Sequence, residues 1–233
     1  MSKELLLTVI ILIAGLLIMS FTFSDDDPDI KFKSIQTVDS KLLDGNNIST
    51  WFTNNGSFNR NPMTSNSGFE WPRGSGKILT YHSGLCISGK VGSDTLVAVS
   101  KSTGLEYAPG YIDGNGNPQG KDDNAYRIYK IVKGDTISKD YTNWPVTQGA
   151  YLDSNSKPFL PGKQTLFYCM TDGYPEFHNF TNPMKAQVQV TSWCYNSVSD
   201  PVISNTIFSE FKIINKKSSA WNDAVISIWS DQC

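Results

Sequence analysis

The sequence has no concentration of positive charge. Its 233 residues include 20 lysines and arginines and 22 acidic residues, which gives a net charge of −2, and the basic residues are spread along the chain. Proteins that bind nucleic acid present a basic patch or stripe to the phosphate backbone. The composition therefore argues against nucleic acid as a partner.

Catalytic motifs are also scarce. The chain has two histidines, His82 and His178, and it contains neither a Gly-x-Ser-x-Gly elbow nor a Cys-x-x-Cys pair. These absences leave little basis for a Ser–His nucleophile and argue against zinc or redox chemistry. His82 falls in a predicted strand. His178 is close in sequence to Asp172 and Glu176. These three residues either form a metal or acid–base cluster or belong to ordinary turns.

The sequence lacks helical periodicity after its first 24 residues. Instead it has short apolar segments separated by Gly, Pro, Asn and Asp, and its 39% apolar and 18% charged residues are typical of a globular chain. The predicted strands are 78–91, 94–100, 126–132, 165–170, 186–195, 206–214 and 224–229. Strands without interleaved helices predict an all-β fold, an antiparallel β-sandwich of jelly-roll or immunoglobulin-like topology with long ordered loops.

The N-terminus predicts export. Lys3 precedes a largely apolar run, 5–19, and small residues at positions 22 and 24 suit a signal peptide cleaved near Ser24. An uncleaved membrane anchor is the alternative, because residues 5–23 are long enough to cross a bilayer. The protein is therefore expected to be secreted or at the cell surface, or anchored on the periplasmic side. The predicted domains are a signal segment (1–24), a spacer (25–47) and a single β-sandwich (48–233).

An exported chain would hold its cysteines in an oxidising environment, where one or two disulfides are expected, with three possible full pairings. The candidates are Cys86, Cys169, Cys194 and Cys233. Cys194 shares a strand face with Val188 and Val190, so the alternative for this residue is a buried apolar position in the core.

A polar loop at 113–124 is the candidate metal site. Hard oxygen ligands at alternate positions are what Ca²⁺ requires, and the candidate ligands are Asp113, Asn115, Asn117, Asp122 and Asp123. The match to an EF-hand loop is partial, because Pro118 occupies the sixth position and Asn124 the twelfth. The alternative is a set of turns in which Asp and Asn side chains accept backbone hydrogen bonds.

Segment 48–73 combines many Asn, Gly and Ser residues with large aromatics. The aromatics either insert into the core or form an exposed platform for a sugar, with Trp51 and Trp71 as the candidates. Glu70 lies next to Trp71, and an aromatic environment would raise the pKa of this carboxyl as a glycosidase acid requires. No second carboxylate stands out as its partner, so catalysis is not expected.

Several segments carry a resemblance to a known class of protein. They are 49–60 (STWFTNNGSFNR), 68–76 (GFEWPRGSG), 109–113, 116–123, 126–129, 205–215, 221–225 and 228–231. Together they resemble the N-terminal region of large secreted proteins of Bacteroidetes-type bacteria, which are multi-domain surface or extracellular proteins that often end in a type IX secretion sorting domain. The resemblance implies an extracellular location and the N-terminal module of a larger protein. It implies no particular activity.

Three functions from different classes follow. The leading hypothesis is a non-catalytic extracellular or surface domain with a structural or adhesive role. The alternatives are a carbohydrate-binding module, with or without Ca²⁺, and a glycoside hydrolase that uses Glu70. The expected partners are an extracellular glycan or other surface proteins, with membrane contact only through an uncleaved N-terminal segment.

Overall fold

The computed structural model of the protein describes residues 38–101 and 104–232. The predicted signal peptide or anchor, most of the predicted spacer and Cys233 lie outside these residues. Among the helices in the described part of the chain, none is long and apolar enough to cross a membrane.

Most of the regular structure is β-strand. The strands are β1 (Ser40–Leu43), β2 (Thr50–Thr53), β3 (Ser57–Phe58), β4 (Phe69–Glu70), β5 (Ile78–Val91), β6 (Asp94–Lys101), β7 (Gly104–Leu105), β8 (Ala108–Pro109), β9 (Tyr111–Ile112), β10 (Pro118–Gln119), β11 (Tyr129–Val132), β12 (Gln164–Thr171), β13 (Ala186–Cys194), β14 (Ile207–Asn215) and β15 (Asn222–Gln232). A single-turn helix, α1 (Lys139–Thr142), is capped by the Ser138 side chain. Short 3-10 turns occur at Asn124–Tyr126, Val146–Gln148, Pro175–Phe177 and Ile203–Asn205.

The strands form two antiparallel sheets and a separate hairpin. The first sheet has the pairing order β1-β2-β3-β5-β6-β7, and β4 and β15 also pair with β5. The second has the order β11-β12-β13-β14, with β8 paired to β12, while β9 and β10 pair only with each other. Because β15 pairs with β5 from Thr80 to Lys90, it occupies one edge of β5 along nearly its whole length, and β3, β4 and β6 share the other edge.

The main core lies between the two sheets. Strand alternation supplies it, because every second side chain of β12 and β13 points inward. The largest fully buried members from both sheets include Leu43, Leu85, Ile87, Leu166, Tyr168 and Met170. Full burial of one such apolar side chain contributes about 1.5–3 kcal/mol to stability before the entropy of ordering is subtracted, so this interface holds the sandwich together.

A second layer covers part of the outer face of the five-stranded sheet. Phe167 and Ile131 point outward from β12 and β11 and pack with Trp144 and Ala150 from the segment that follows α1. The Trp144 indole nitrogen donates a hydrogen bond to the Tyr151 carbonyl oxygen at 2.9 Å, which fixes this segment over the sheet. The segment leaves the neighbouring part of the outer face, around Gln187 and Gln189, as the floor of a cleft.

The fold confirms the all-β antiparallel sandwich that the sequence predicts. The predicted hairpin turn at 92–93 is present, with Val91 opposite Asp94. The sandwich begins earlier than predicted, because β1 lies inside the predicted spacer and pairs in full with β2. Leu43 at the end of β1 is fully buried, so this strand is part of the core rather than a flexible leader.

Candidate functional site

The predicted metal ligand Asp113 lies at the tip of the β9–β10 hairpin. Its Oδ1 accepts hydrogen bonds from the backbone nitrogens of Asn115 and Asn117, both at 2.9 Å. Hydrogen bonds from the Asn117 backbone, followed by those from other groups in the turn, lower the pKa of Asp113. The carboxylate therefore organises the hairpin turn, as the alternative interpretation of this loop describes.

The other acidic candidates in the loop have separate partners. Asp122 forms a salt bridge with Lys121 at 2.9 Å, and Asp123 accepts the Ala125 backbone N–H at 2.8 Å as the cap of a 3-10 turn. Across residues 38–101 and 104–232 there is no group of three or more His, Cys, Asp or Glu side chains that could hold a metal ion. Calcium binding by this loop stays a prediction.

Because Asp113 Oδ1 already accepts two backbone N–H groups, we expect the melting temperature to be the same in millimolar calcium and in chelator. A calcium ion that bound only the folded state would raise the melting temperature. Asp113→Ala should lower the melting temperature in both conditions, since two backbone amides lose their acceptor. Asp113→Asn is the matched control, because its amide oxygen can still accept both hydrogen bonds. A calcium-dependent rise that Asp113→Asn weakens would instead establish the metal site.

The candidate sugar platform lies on the eight-stranded sheet. Ser49 and Glu70 exchange backbone hydrogen bonds of 3.1 and 2.9 Å, which brings the strand of Trp51 beside that of Glu70. Trp51 is half-buried, whereas Trp71 is 40% exposed and donates from its indole nitrogen to Asn205 Oδ1 at 2.6 Å. The three residues thus lie near one another, and Trp71 is the one with an exposed ring.

The pKa of Glu70 is lowered, whereas a general acid requires a raised pKa. Hydrogen bonds from the backbone of Gly74 and Gly76 lower it, and Glu70 Oε1 accepts the Gly76 N–H at 2.7 Å. The expected rise caused by aromatic neighbours is therefore wrong, because the carboxylate binds backbone donors of the following turn. Glu70 holds this turn in place and is ionised at neutral pH.

His82 forms a buried Ser–His pair, in which His82 is 1% and Ser57 7% exposed. Its Nε2 is hydrogen-bonded to Ser57 Oγ at 2.5 Å, and Trp229 packs edge-on against its ring at 4.8 Å between centroids. Burial and the nearby Arg60 lower the pKa of His82 to about 4. Both members of the pair are buried, and their hydrogen bond joins β3 to β5.

His178 belongs to a second buried cluster. Its Nε2 lies 2.7 Å from the Asp172 carbonyl oxygen, and its Nδ1 lies 3.7 Å from a carboxylate oxygen of Glu106. Asp172 and His178 therefore meet as the sequence suggested, but Glu106 takes the place expected for Glu176, which is exposed. The side chains of the cluster are at most 2% exposed, so they are structural.

Two of the candidate disulfide residues are buried thiols. Cys169 lies on the outer face of β12, where burial raises its pKa to about 12, and Cys194 lies in the main core. The structure thus agrees with the alternative of an apolar core position for Cys194. Cys86 stands opposite Val99 and Ser227 in the first sheet. Cys233 lies outside the described residues, so a bridge that involves it stays a prediction.

A cleft of about 400 Å³ opens on the outer face of the five-stranded sheet. Cys169, Gln187 and Gln189 form its floor, and its walls come from the β9–β10 hairpin on one side and the 3-10 turn at Val146–Gln148 on the other. We call it the Tyr–Gln cleft. Its main lining residues are Tyr111, Tyr126, Thr147, Gln148, Gln187 and Gln189.

Hydrogen bonds hold the glutamine amides of this cleft in place. Gln189 Nε2 donates to the Gln148 carbonyl oxygen at 2.9 Å, and Gln187 Oε1 accepts the Ile112 N–H at 3.2 Å. Gly149 makes this packing possible, because a Cβ there would collide with the Gln189 amide. Within the described chain, Oε1 of Gln148 and Oε1 of Gln189 are buried without a hydrogen-bond partner.

The Tyr–Gln cleft is aromatic and nearly free of charge. The rings of Tyr111 and Tyr126 stack at 5.4 Å between centroids. Burial raises the pKa of Tyr126, so its phenol is neutral at physiological pH. Among the described residues that line the cleft, none is Lys, Arg or His, and Asp123 is the one carboxylate. Such a surface suits a neutral molecule that has both apolar C–H faces and hydroxyl groups.

Sequence reasoning did not select the residues of this cleft. Gln187 and Gln189 alternate with the buried Val188 and Val190, so their outward direction could have been read from the pattern of β13. Nothing in the local sequence indicates that Tyr111 and Gln148 lie over the same sheet. Comparison of the chain with family models, curated proteins and solved structures finds no match, so the geometry described above is the basis for assigning a function.

Proposed function

We propose that the protein is a non-catalytic, extracellular β-sandwich domain of the adhesion type that binds a glycan in the Tyr–Gln cleft. The observation that carries this proposal is the lining of the cleft, which combines a stacked tyrosine pair with three glutamine side chains. Aromatic rings pack against the C–H face of a sugar ring, and amides both donate to and accept from hydroxyl groups. The volume of about 400 Å³ falls within the usual range for small-ligand sites.

The state of the acid–base groups supports a binding role over a hydrolytic one. Both histidines are buried in structural hydrogen bonds, and the lowered pKa of Glu70 disfavours protonation at neutral pH. A glycosidase needs one protonated and one ionised carboxyl on either side of the sugar bond.

The proposal of export rests on the N-terminal sequence, and we expect N-terminal sequencing of the native protein to begin near Asp25.

Tyr111→Ala should weaken glycan binding at least tenfold, because it removes the ring of the hairpin wall against which a sugar would stack. Binding is measured on a glycan array and then by titration of the best ligand, with reducing-sugar release followed in parallel. Trp71→Ala is the matched control, because it removes the exposed aromatic of the other candidate platform. Loss of binding in Trp71→Ala, with Tyr111→Ala unaffected, would move the site to the eight-stranded sheet. Turnover that Glu70→Gln abolishes would overturn the non-catalytic assignment.

A further inference from the structure

A second cleft of about 580 Å³ lies at the tip of the β9–β10 hairpin. The turn at 113–116 forms one wall, and the opposite wall is formed by Lys185, Asn215, Lys216, Lys217 and Ser218. We call it the lysine cleft. It shares the hairpin with the Tyr–Gln cleft, since Tyr111 at the base of the hairpin lines one and the tip lines the other.

Sheet register explains why the lysines converge. Lys185 directly precedes β13 and Lys216 directly follows β14, and these strands pair with Ala186 opposite Asn215. The end of one strand therefore lies beside the start of the other, and the Lys216 backbone nitrogen donates to the Lys185 carbonyl oxygen at 2.9 Å. Lys217 follows in the same turn, where its Nζ lies 3.3 Å from the Pro183 carbonyl oxygen.

Some basic residues of the described chain have acidic partners, and the three lysines of the cleft do not. Lys90, Lys130 and Arg127 each form a salt bridge of 2.9 Å or less with an aspartate. Within residues 38–101 and 104–232, no salt bridge involves any of the three lysines of the cleft. Asp113 is the one carboxylate of the lining, so the cleft carries an excess of two positive charges in a chain whose net charge is −2. Clustered like charges repel, and a bound anion relieves that repulsion.

Lys185 is held in an unusual conformation at this wall. Its φ of 59° lies in the left-handed region, which costs a non-glycine residue free energy. Its Nζ donates to the Gly116 carbonyl oxygen at 2.7 Å, which directs the ammonium toward the hairpin tip. An ammonium has three donors, so two remain for a ligand.

We propose that the lysine cleft binds the carboxylate or sulfate group of an acidic glycan whose neighbouring sugar occupies the Tyr–Gln cleft. This inference rests on the proposed function and names its ligand class. Lysine is a compact point charge that accepts an anion from several directions, which suits a substituent on a flexible sugar chain. Nucleic acid would require a longer basic stripe than three lysines in one cleft.

The test measures binding of the full chain to a neutral polysaccharide, a polyuronate and a sulfated polysaccharide at low and high salt. The double variant Lys185→Gln, Lys216→Gln should bind the acidic polymers at least tenfold more weakly than the unsubstituted protein does. Its affinity for the neutral polymer should be unchanged. The acidic polymer whose affinity falls more in the double variant shows whether the cleft prefers a carboxylate or a sulfate group. Lys212→Gln is the control, because Lys212 is an exposed lysine of β14 outside the cleft. Binding of the acidic polymers should also weaken with salt, as screening requires.

The failure of this inference and that of the proposed function have different signatures. Equal binding of acidic polymers by the double variant and the unsubstituted protein would overturn the lysine cleft and leave the Tyr–Gln cleft standing. If no polysaccharide binds, the glycan-binding function is wrong. Inorganic sulfate then decides whether the cleft still holds an anion, because it should raise the melting temperature of the unsubstituted protein by more than that of the double variant, which reports the general stabilising effect of sulfate. An equal rise in the two proteins would overturn both proposals.

Discussion

Replacement of Gly84 by alanine should lower the free energy of unfolding by about 3 kcal/mol or more. Gly84 lies in the middle of β5, where it is paired with both Ser57 and Trp229. A Cβ there would overlap the Ser100 carbonyl oxygen and lie 2.7 Å from the Trp229 indole nitrogen. That nitrogen donates a hydrogen bond to the same Ser100 oxygen. The added methyl group would therefore collide with both partners of this hydrogen bond, and relief would require β6 to shift or the bond to break.

Gly89→Ala is the control in the same strand. The nearest atoms to a Cβ at this position are Ala224 Cα and the Asn222 carbonyl oxygen, both at 3.4 Å, which is ordinary van der Waals contact. Alanine also restricts the unfolded chain more than glycine does, so this variant should lie within about 1 kcal/mol of the unsubstituted protein. Urea denaturation at constant temperature measures both variants. Equal stabilities for the two would mean that the Ser100 carbonyl group and the Trp229 indole do not lie against Gly84 as described.

The strands of the sandwich could be predicted because their signal is local. In β13, the alternation of Val188 and Val190 with glutamines identifies both the strand and its buried face, and β14 and β15 begin within two residues of their predicted starts. β1 was missed because its four residues are too short to show a period. The two-residue strands β8, β9 and β10 were missed for the same reason.

The functional site could not be predicted because its parts are distant in sequence. Tyr111 and Gln189 are separated in sequence by β11, β12 and the first residues of β13, and they meet only because the β9–β10 hairpin folds back over that sheet. The composition of the Asp113 loop predicts a metal site, yet composition alone cannot separate a calcium ligand from an aspartate that accepts hydrogen bonds from backbone amides. Similarly, Lys185 and Lys216 come together through strand register, which the sequence does not state.

Asp172→Ala should lower the free energy of unfolding by about 3 kcal/mol, which is similar to the effect expected of Gly84→Ala. Asp172 is fully buried, and its carboxylate accepts the backbone nitrogens of Met184 at 2.7 Å and Ala186 at 2.6 Å while it faces His178. Alanine would leave two buried N–H groups and an imidazole without this partner. Asp172→Asn keeps the size and one acceptor oxygen, so it should lose less. Equal stability of the alanine variant and the unsubstituted protein would show that this cluster does not fasten the loop before β13.

The ionisation of Asp172 should also give stability a specific pH dependence. Burial, opposed by the nearby His178, raises the pKa of Asp172 from 3.8 to about 6 in the folded state, and the buried Glu106 adds to the rise. Between these two values the folded chain binds more protons than the unfolded chain, so the stabilising contribution of the protonated carboxyl is complete below pH 3.8 and is lost as the pH rises through about 6. The asparagine variant cannot ionise at this position. The melting temperature of the unsubstituted protein should therefore fall relative to that of Asp172→Asn between pH 4 and pH 7. A relative rise over that range would mean that the ion pair with His178 outweighs the cost of burying the charge.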